Sequence, residues 1–402
     1  MTDMTHRVAG KREGWVLVLA SSLTIVGSVM VAPVLPKMMA EFAPTMPDAP
    51  LWVAMALTGP ALAIALFAPI AGWLADRYGR VRLLTFGALL YGLLGALPAL
   101  LDQLMAIVGV RLLFGCAEAI IMTCCTALIA DYWSGERRLR YVNRQVIAIA
   151  VVGALFFMLG GMLGEHHWRT PFYLYLLPLL LLPFIARILW EPSRARPAEG
   201  SSPAAVQGAV SPRPLLVGFF LVCFGMIVTM AMPVNAPGLL VGIGITSSTL
   251  IGLASGLGLL SSLVGALLWP LTRRTLGVAG CNALLMALMA VGLLGVVRAP
   301  TYNLMLTAMV IHGIGSGMLV PNSMAPVMEA LTQRTRGRGM GFYTGFLYIG
   351  QFVSPLVISG IAAALSSGTN MAISVLAGLS MLYAFGWLLS ALVLRPRHAM
   401  QP

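Results

Sequence analysis

The chain has 402 residues, of which 59% are hydrophobic and only 9% are charged, and its mean hydropathy is +0.91. A water-soluble domain carries about 25% charged residues, so this composition excludes a soluble enzyme, a nucleic-acid-binding module and a disordered chain. The remaining class is a polytopic membrane protein built from helices, because barrel strands alternate in polarity and give no long apolar runs.

Long charge-free intervals follow one another along the chain, and a membrane span needs about 20 helical residues. Seven intervals each hold one span, and two longer ones, 214–272 and 339–394, each hold two. We expect these two to be divided by turns at Pro233–Gly238 and Ser366–Asn370. One further span, Leu104–Ala130, carries internal charges. The sequence therefore predicts twelve transmembrane helices.

The net charge of +12 is better explained by the orientation of the chain in the membrane than by a nucleic-acid partner, and the positions of the charges give that orientation. If both termini are cytoplasmic, the cytoplasmic loops receive most of the arginines and the outer loops only Lys37, Arg169 and Arg298. Positive charge concentrates in the loops that are not translocated. This predicts a multi-pass membrane protein with both termini on the cytoplasmic side.

The two halves of the chain resemble each other. Gly72 and Arg80 recur as Gly265 and Arg273 at an offset of 193, and four positions recur at an offset of 198. We predict an all-α fold of two pseudo-symmetric six-helix bundles, residues 1–190 and 214–402, joined by a Pro-, Ala- and Ser-rich cytoplasmic linker at 191–213. The four positions are Gly115, Asp131, Arg138 and Arg140, matched by Gly313, Glu329, Arg336 and Arg338.

The loop after the second span reads GWLADRYGRVR, residues Gly72–Arg82. It resembles the G-x-L-a-D-r-x-G-r-k signature of the major facilitator superfamily. Asp76 can pair with arginines and with the positive end of another helix, and Gly79 permits a tight turn. The predicted conformational latch between the halves is one-sided, because the second-half copy has Trp269 where Asp76 stands. Its residues are Gly72, which would allow a close helix approach, Asp76, Arg77, Gly79 and Arg80.

Further segments extend the resemblance. The first helix ends in VAPVLPKMMAEF, Val31–Phe42, which is similar to the P-x-L-P ending of the drug–proton antiporter branch of that family. Two more segments resemble patterns of the family as a whole, RLLFGCAEA at Arg111–Ala119 and HWRTPFYLY at His167–Tyr175. One departure concerns export: FFMLGG at Phe156–Gly161 stands where exporters have G-P-x-x-G-G. The resemblance implies the major facilitator fold and transport across a bacterial inner membrane, with Arg111 involved in proton coupling.

Three ionisable side chains fall inside predicted spans, where charge is costly and functional roles are common. Arg111 and Glu118 share a face of the fourth helix, and a rise of 1.5 Å per residue puts Glu118 about 20 Å from the helix end near Asp131. Glu118 is the predicted proton carrier, with a structural pair to Arg111 as the alternative. His312 would serve proton relay or anion recognition, or would only pack.

Several polar and methionine side chains are candidates for the substrate cavity. Some share a helical face, with helix–helix hydrogen bonding as the alternative, and the methionines could equally lie in the core or face lipid. The candidates are Ser316, Ser323, Thr344, Tyr348, Gln351, Met226 and Met230.

The functional prediction is a secondary active transporter, most simply proton-coupled efflux of small organic compounds by alternating access. The alternative is uptake of a small organic nutrient or siderophore-like anion. A lipid-linked transferase or a sensor explains the sequence less well. With no Walker A, nucleophile-elbow or metal-ligand pattern, we expect no enzyme, cofactor or metal. The expected partners are a small-molecule substrate, protons and the bilayer, with the chain acting as a monomer and binding no nucleic acid.

Overall fold

The computed structural model describes residues 9–192, 212–332 and 335–393, without the side chains of residues 212, 336 and 337. Every regular element in these ranges is helical. Eleven helices are long and apolar enough to cross a membrane, and the longest, Ser248–Arg298, is divided at Gly277 by a left-handed φ of 69°. The resulting twelve helices are α1 Lys11–Phe42, α2 Ala49–Tyr78, α3 Arg80–Leu100, α4 Leu104–Tyr132, α5 Gly135–Leu163, α6 Thr170–Ile188, α7 Pro212–Gly242, α8 248–276, α9 278–298, α10 Tyr302–Ala330, α11 Arg336–Ala364 and α12 Thr369–Val393.

One predicted turn is wrong. Pro233–Gly238 lies inside α7, which continues to Gly242. A membrane helix tolerates proline because neighbouring side chains, ordered waters or local adjustments of the helix can satisfy the freed backbone groups. The chain turns instead around Gly244, where φ is +88°. The break predicted at Ser366–Asn370 is confirmed, because α11 ends at Ala364 and α12 begins at Thr369.

Two apolar cores are present, one for each set of six helices. The first is built from buried residues between Ala9 and Leu189, and the second from buried residues between Leu221 and Ala384. Of the predicted linker, residues 193–211 lie outside the described part, and α7 already begins at Pro212.

Equivalent contacts recur in the two sets of helices. Arg80 pairs with Asp131 between α3 and α4, and Arg273 approaches Glu329 to 3.9 Å. These are the residues that the internal repeat aligns. A Cβ on Gly115 would collide with the backbone of Pro60, and a Cβ on Gly313 would collide with the carbonyl of Gly258. The repeat therefore encodes the same close helix crossing and the same ion pair twice.

The bundle has two chemically different ends. Arg80, Arg138 and Arg273 lie at the end where α3 begins and α4 ends, which we call the arginine-rich end. At the opposite end, which we call the Glu165 end, α5 finishes and α8 starts. The halves meet closely there: a Cβ on Gly161 would overlap the Ser248 carbonyl.

Contact between α5 and α8 weakens toward the arginine-rich end. The buried residues of α8 lie between Ser248 and Gly265, and none of residues 266–280 is buried. On α5, six of the seven buried residues lie from Ala150 onward, toward the Glu165 end. The structure is therefore joined tightly between its halves at the Glu165 end.

Candidate functional site

Arg111 is fully buried in α4, and backbone carbonyls hold its guanidinium. Its Nε donates to Ala56 O at 2.8 Å and its Nη2 donates to Gly27 O at 2.6 Å, so Arg111 links α4 to α2 and α1. The Tyr175 hydroxyl lies 3.4 Å from Nη1, and the Phe114 ring centre lies 4.7 Å from Cζ. Five fixed donors in a planar fork suit such a site. The side chain is a rigid junction between three helices.

Glu118 lies two helical turns along α4 from Arg111 and is 3% exposed. Its Oε2 is buried without a hydrogen-bond partner. No ion pair joins Glu118 to Arg111, whose described bonds go elsewhere, so the structure does not contain the direct structural pair. Gly27 leaves the space beside the carboxyl open, since a Cβ there would lie 3.1 Å from Oε2. Tyr348 of α11 lies within electrostatic range.

An aromatic cluster surrounds Arg111 and Glu118, and the sequence analysis missed most of it. The ring centres of Tyr91 and Phe114 are 4.5 Å apart, and those of Phe114 and Tyr175 are 5.3 Å apart. Tyr91 donates to Leu23 O at 2.6 Å. The one member of this cluster that the sequence pattern marks is Tyr175, the last residue of the His167–Tyr175 segment. Tyr91 sits in an unbroken apolar run, and nothing in that pattern marks it.

The candidates on α10 are largely engaged in helix–helix bonds. His312 is 3% exposed, and its Nε2 lies 3.3 Å from Val228 O of α7. Ser323 and the hydroxyl of Tyr343 lie 2.7 Å apart, which joins α10 to α11. Ser316 donates to a carbonyl of its own helix at 2.9 Å. These contacts agree with the packing alternative and bring none of the three onto Glu118.

The candidates on α11 and α7 lie in two different places: one is close to Glu118, and the methionines belong to the second apolar core. The Tyr348 hydroxyl lies 3.2 Å from Met122 Sδ of α4, so it bridges the two halves near Glu118. Thr344 and Gln351 are half-buried on the same helix. Met226 is buried in the second core and Met230 packs against it. The structure thus brings Tyr348, but not the methionines, together with Glu118.

The residues of the predicted latch lie in the last turns of α2, at the connecting Gly79 and at the first residue of α3. Arg80 pairs with Asp131 and lies 3.4 Å from Asp76. Gly79 has a φ of 100°, as the tight turn requires. The close approach expected at Gly72 is wrong for this conformation, because a Cβ there would have its nearest neighbour, Thr123, at 3.9 Å. Arg77 lies over the rings of Trp73 and Tyr78 at 5.3 and 5.8 Å.

Glu191 contacts the turn between α2 and α3 and was missed as a site residue, since it sits at the start of the predicted linker. Its carboxylate accepts from the backbone N–H groups of Arg80 and Val81, each at 2.8 Å, and of Arg82 at 3.1 Å. A carboxylate at a helix N-terminus satisfies donors that have no partner within the helix. Glu191 therefore fixes the end of α6 to the start of α3.

The second half uses amides where the first half has Asp76. Asn322 Oδ1 accepts from Trp269 Nε1 at 3.0 Å and from Arg273 Nη1 at 3.1 Å, and its Nδ2 donates to Asn282 Oδ1 at 2.6 Å. Asn282 and Asn322 are both buried. The tryptophan that replaces the aspartate is therefore part of a hydrogen-bonded junction of α8, α9 and α10, in which an amide takes the place of a carboxylate.

A polar clamp joins the halves at the Glu165 end. Glu165 Oε2 accepts from Ser247 Oγ at 3.1 Å, from Thr249 N at 2.8 Å and from Thr249 Oγ1 at 2.9 Å. Lys37 donates to the carbonyls of Gly164, at 2.8 Å, and Glu165. Burial raises the pKa of Glu165, but the bonds from Thr249 and Ser247 and the charge of Lys37 hold it below its usual range. We define these side chains as the Glu165 clamp.

Among the described residues, no group of three or more His, Cys, Asp or Glu side chains is arranged to hold a metal ion. The five cysteines are unpaired thiols, three of them buried.

Comparisons with known proteins agree with this architecture. The family model described as Major Facilitator Superfamily matches residues 17–355 and 273–402. The 3-(3-hydroxy-phenyl)propionate transporter of Escherichia coli (strain K12) is 28% identical over 311 residues, 75% of this chain and 75% of that protein. The multidrug efflux pump LfrA of Mycolicibacterium smegmatis is 30% identical over 178 residues, 42% of this chain and 33% of that protein.

Solved structures show the same fold at low identity. A crystal structure of a D-xylose-proton symporter has a TM-score of 0.74 and 17% identity, covering 94% of this chain and 97% of that chain. An inward open xylose transporter XylE from E. coli has a TM-score of 0.72 and 15% identity, covering 94% and 95%.

Proposed function

The chain belongs to the Major Facilitator Superfamily and is a membrane transporter rather than an enzyme, and we propose that it exports small organic compounds in exchange for protons. The proposal divides the chain into two moving bundles, 1–190 and 214–402, acting as a monomer with a linker at 191–213. Alternating access then consists of opening one end of the bundle while the other is closed.

The observation that carries the proposal is the environment of Glu118. A buried ionised carboxylate without hydrogen-bond partners is costly in an apolar surrounding, and a neutral one costs much less. Glu118 Oε2 has no such partner, and Tyr348 of the other half lies nearby. A proton on Glu118 therefore changes the energy of bringing α4 and α11 together. In this proposal Arg111 positions α4. His312 relays protons only in a conformation in which its ring no longer contacts the Val228 carbonyl.

The distribution of charge supports an orientation for this cycle. We propose that the arginine-rich end is cytoplasmic, as the positive-inside rule favours, so that both termini lie inside. The Glu165 clamp would then close the outer side, and the structure would correspond to an inward-facing state. Arg80 pairs with Asp131 of its own half here, and the latch between halves would form on the opposite swing.

Relatives named as multidrug efflux proteins support export, because LfrA and the multidrug export protein EmrB of Haemophilus influenzae both match this chain. Uptake of a small organic acid is the second candidate. Its specific support is the hydroxyphenylpropionate transporter, which matches over 75% of both chains, and Phe156 and Phe157 in place of an exporter's Gly-Pro.

Transport by purified protein in proteoliposomes with an imposed pH gradient tests both candidates. Hydroxyphenylpropionate, a lipophilic cation and a neutral dye serve as three charge classes. Export predicts that solute moves against the direction of the inward proton flow. Solute that moves together with protons, for the acid alone, supports uptake and contradicts export. Solute flux that ignores the pH gradient contradicts proton coupling in either direction.

A further inference from the structure

An apolar groove of about 700 Å³ lies within the first half, between α2 and α3. Both helices pack on α4, whose Leu113, Cys116 and Ile120 form the floor of the groove. Its walls are mostly leucine and phenylalanine. All its lining residues come from α2, α3 and α4, so it is not the space between the two halves.

The groove has the length of one leaflet. It runs along α2 from Phe67 to Tyr78 and along α3 from Leu94 to Leu83. Eleven residues of helix rise about 16 Å, which is roughly half of a hydrocarbon core of about 30 Å. It begins at the arginine-rich end, where α2 ends and α3 begins, and finishes at about the depth of the midplane.

A cationic side chain stands at the mouth of the groove. Arg82 lines the groove at its arginine-rich end and is exposed. Its backbone N–H donates to Glu191, and within the described part of the chain its guanidinium has no hydrogen bond and no acidic partner. Arginine presents fixed donors that match phosphate oxygens. Basic pockets between membrane helices bind anionic lipid head groups on the side where such lipids collect.

We propose that this groove binds one acyl chain of an anionic phospholipid whose phosphate is held by the Arg82 guanidinium. The apolar walls supply affinity for the chain, and Arg82 supplies the preference for negative charge. Because Arg82 lies in the first turn of α3, two residues after Arg80, the bound lipid would rest against the predicted latch. The inference depends on membrane embedding, and it does not depend on export or on Glu118.

Native mass spectrometry of the purified full chain in detergent tests the proposal with two lipids that share their chains. Dioleoylphosphatidylglycerol should bind more tightly than dioleoylphosphatidylcholine. Arg82→Ala should weaken the phosphatidylglycerol complex about tenfold, as expected for one charged hydrogen bond. Arg274→Ala, at another exposed arginine of the same end, is the matched control and should leave the affinity unchanged. Inorganic phosphate should not displace the lipid.

A second pair of variants tests the chain site. Leu113→Trp should fill the floor and abolish tight binding of both lipids, while Leu382→Trp, at a leucine 69% exposed on α12, should not. Monodispersity and the thermal unfolding midpoint establish that each variant is folded. Equal binding of the two lipids, equal losses in Arg82→Ala and Arg274→Ala, or undiminished binding in folded Leu113→Trp would overturn the proposal.

Discussion

At the residue scale, the centre of the first half is organised by one arginine and one acid with different roles. Arg111 has its donors taken by carbonyls of α1 and α2, whereas Glu118 Oε2 has no partner. The sequence identified both residues, because a charge inside an apolar run is conspicuous. It did not identify Gly27, although this glycine supplies both the carbonyl that Arg111 uses and the space beside Glu118.

Replacing Arg111 by lysine tests the rigid junction. A lysine has a point charge and cannot reach carbonyls of two helices at once, so Arg111→Lys should lose transport and about 2 kcal/mol of unfolding free energy. Thermal unfolding in detergent and transport in proteoliposomes measure the two effects. Arg298→Lys, at an exposed arginine, is the control. Wild-type stability of Arg111→Lys would show that the guanidinium bonds do not hold α1, α2 and α4 together.

Gly27→Ala tests the space beside Glu118. The added methyl would lie 2.8 Å from the Phe114 ring and 3.1 Å from Glu118 Oε2, so we expect loss of transport and a destabilisation of about 1–3 kcal/mol from overpacking. Gly109→Ala on α4 is the control, since a Cβ there meets nothing within 4 Å. If both substitutions behave alike, the contact between α1 and α4 does not depend on a glycine.

At the scale of elements, the Glu165 clamp is the contact that must break when the other end closes. The carboxylate of one half caps the first turn of α8 in the other half. A helix N-terminus carries a partial positive charge, which favours an ionised acid there. Nothing in the sequence pattern marks this contact, because Glu165 appears there only as the boundary of a span. Ser247 is recognisable as a helix cap only once the end of α7 is placed at Gly242.

Acid should open the Glu165 end. The pKa of Glu165 lies below the ordinary 4.5, so the clamp is at full strength above that pH and is lost as the pH falls through the lowered value. Glu165→Ala should open the same end at neutral pH and remove this acid response. Spin labels at exposed Thr45 and Asn303, one in each half, report the distance between the halves at this end.

The matched control for the clamp is Asp48→Ala, at an exposed acid of the same end. It should keep both the short label distance and its response to acid. If the distance in Glu165→Ala equals that of the unsubstituted protein at neutral pH, the clamp does not hold the halves together.

At the scale of the whole molecule, the number of helices and the repeat could be predicted because lipid imposes them. A span must be apolar and long, and a repeated glycine must fit the same helix crossing twice, as Gly115 and Gly313 do. The misplaced turn at Pro233–Gly238 has a physical cause: proline marks a break in water but is accommodated inside a membrane helix. Contacts between halves, such as Tyr348 with Met122, leave no local pattern and could not be predicted.

The central claim is that a proton on Glu118 couples the swing of the halves to transport, and Glu118→Gln tests it most directly. Gradient-driven transport and substrate exchange without a gradient are measured in the same proteoliposomes, with Glu136→Gln, at an exposed acid, as the control. We predict that Glu118→Gln loses at least about tenfold in driven transport but retains exchange, because glutamine mimics the protonated acid. Driven transport at the wild-type rate in Glu118→Gln would contradict the account.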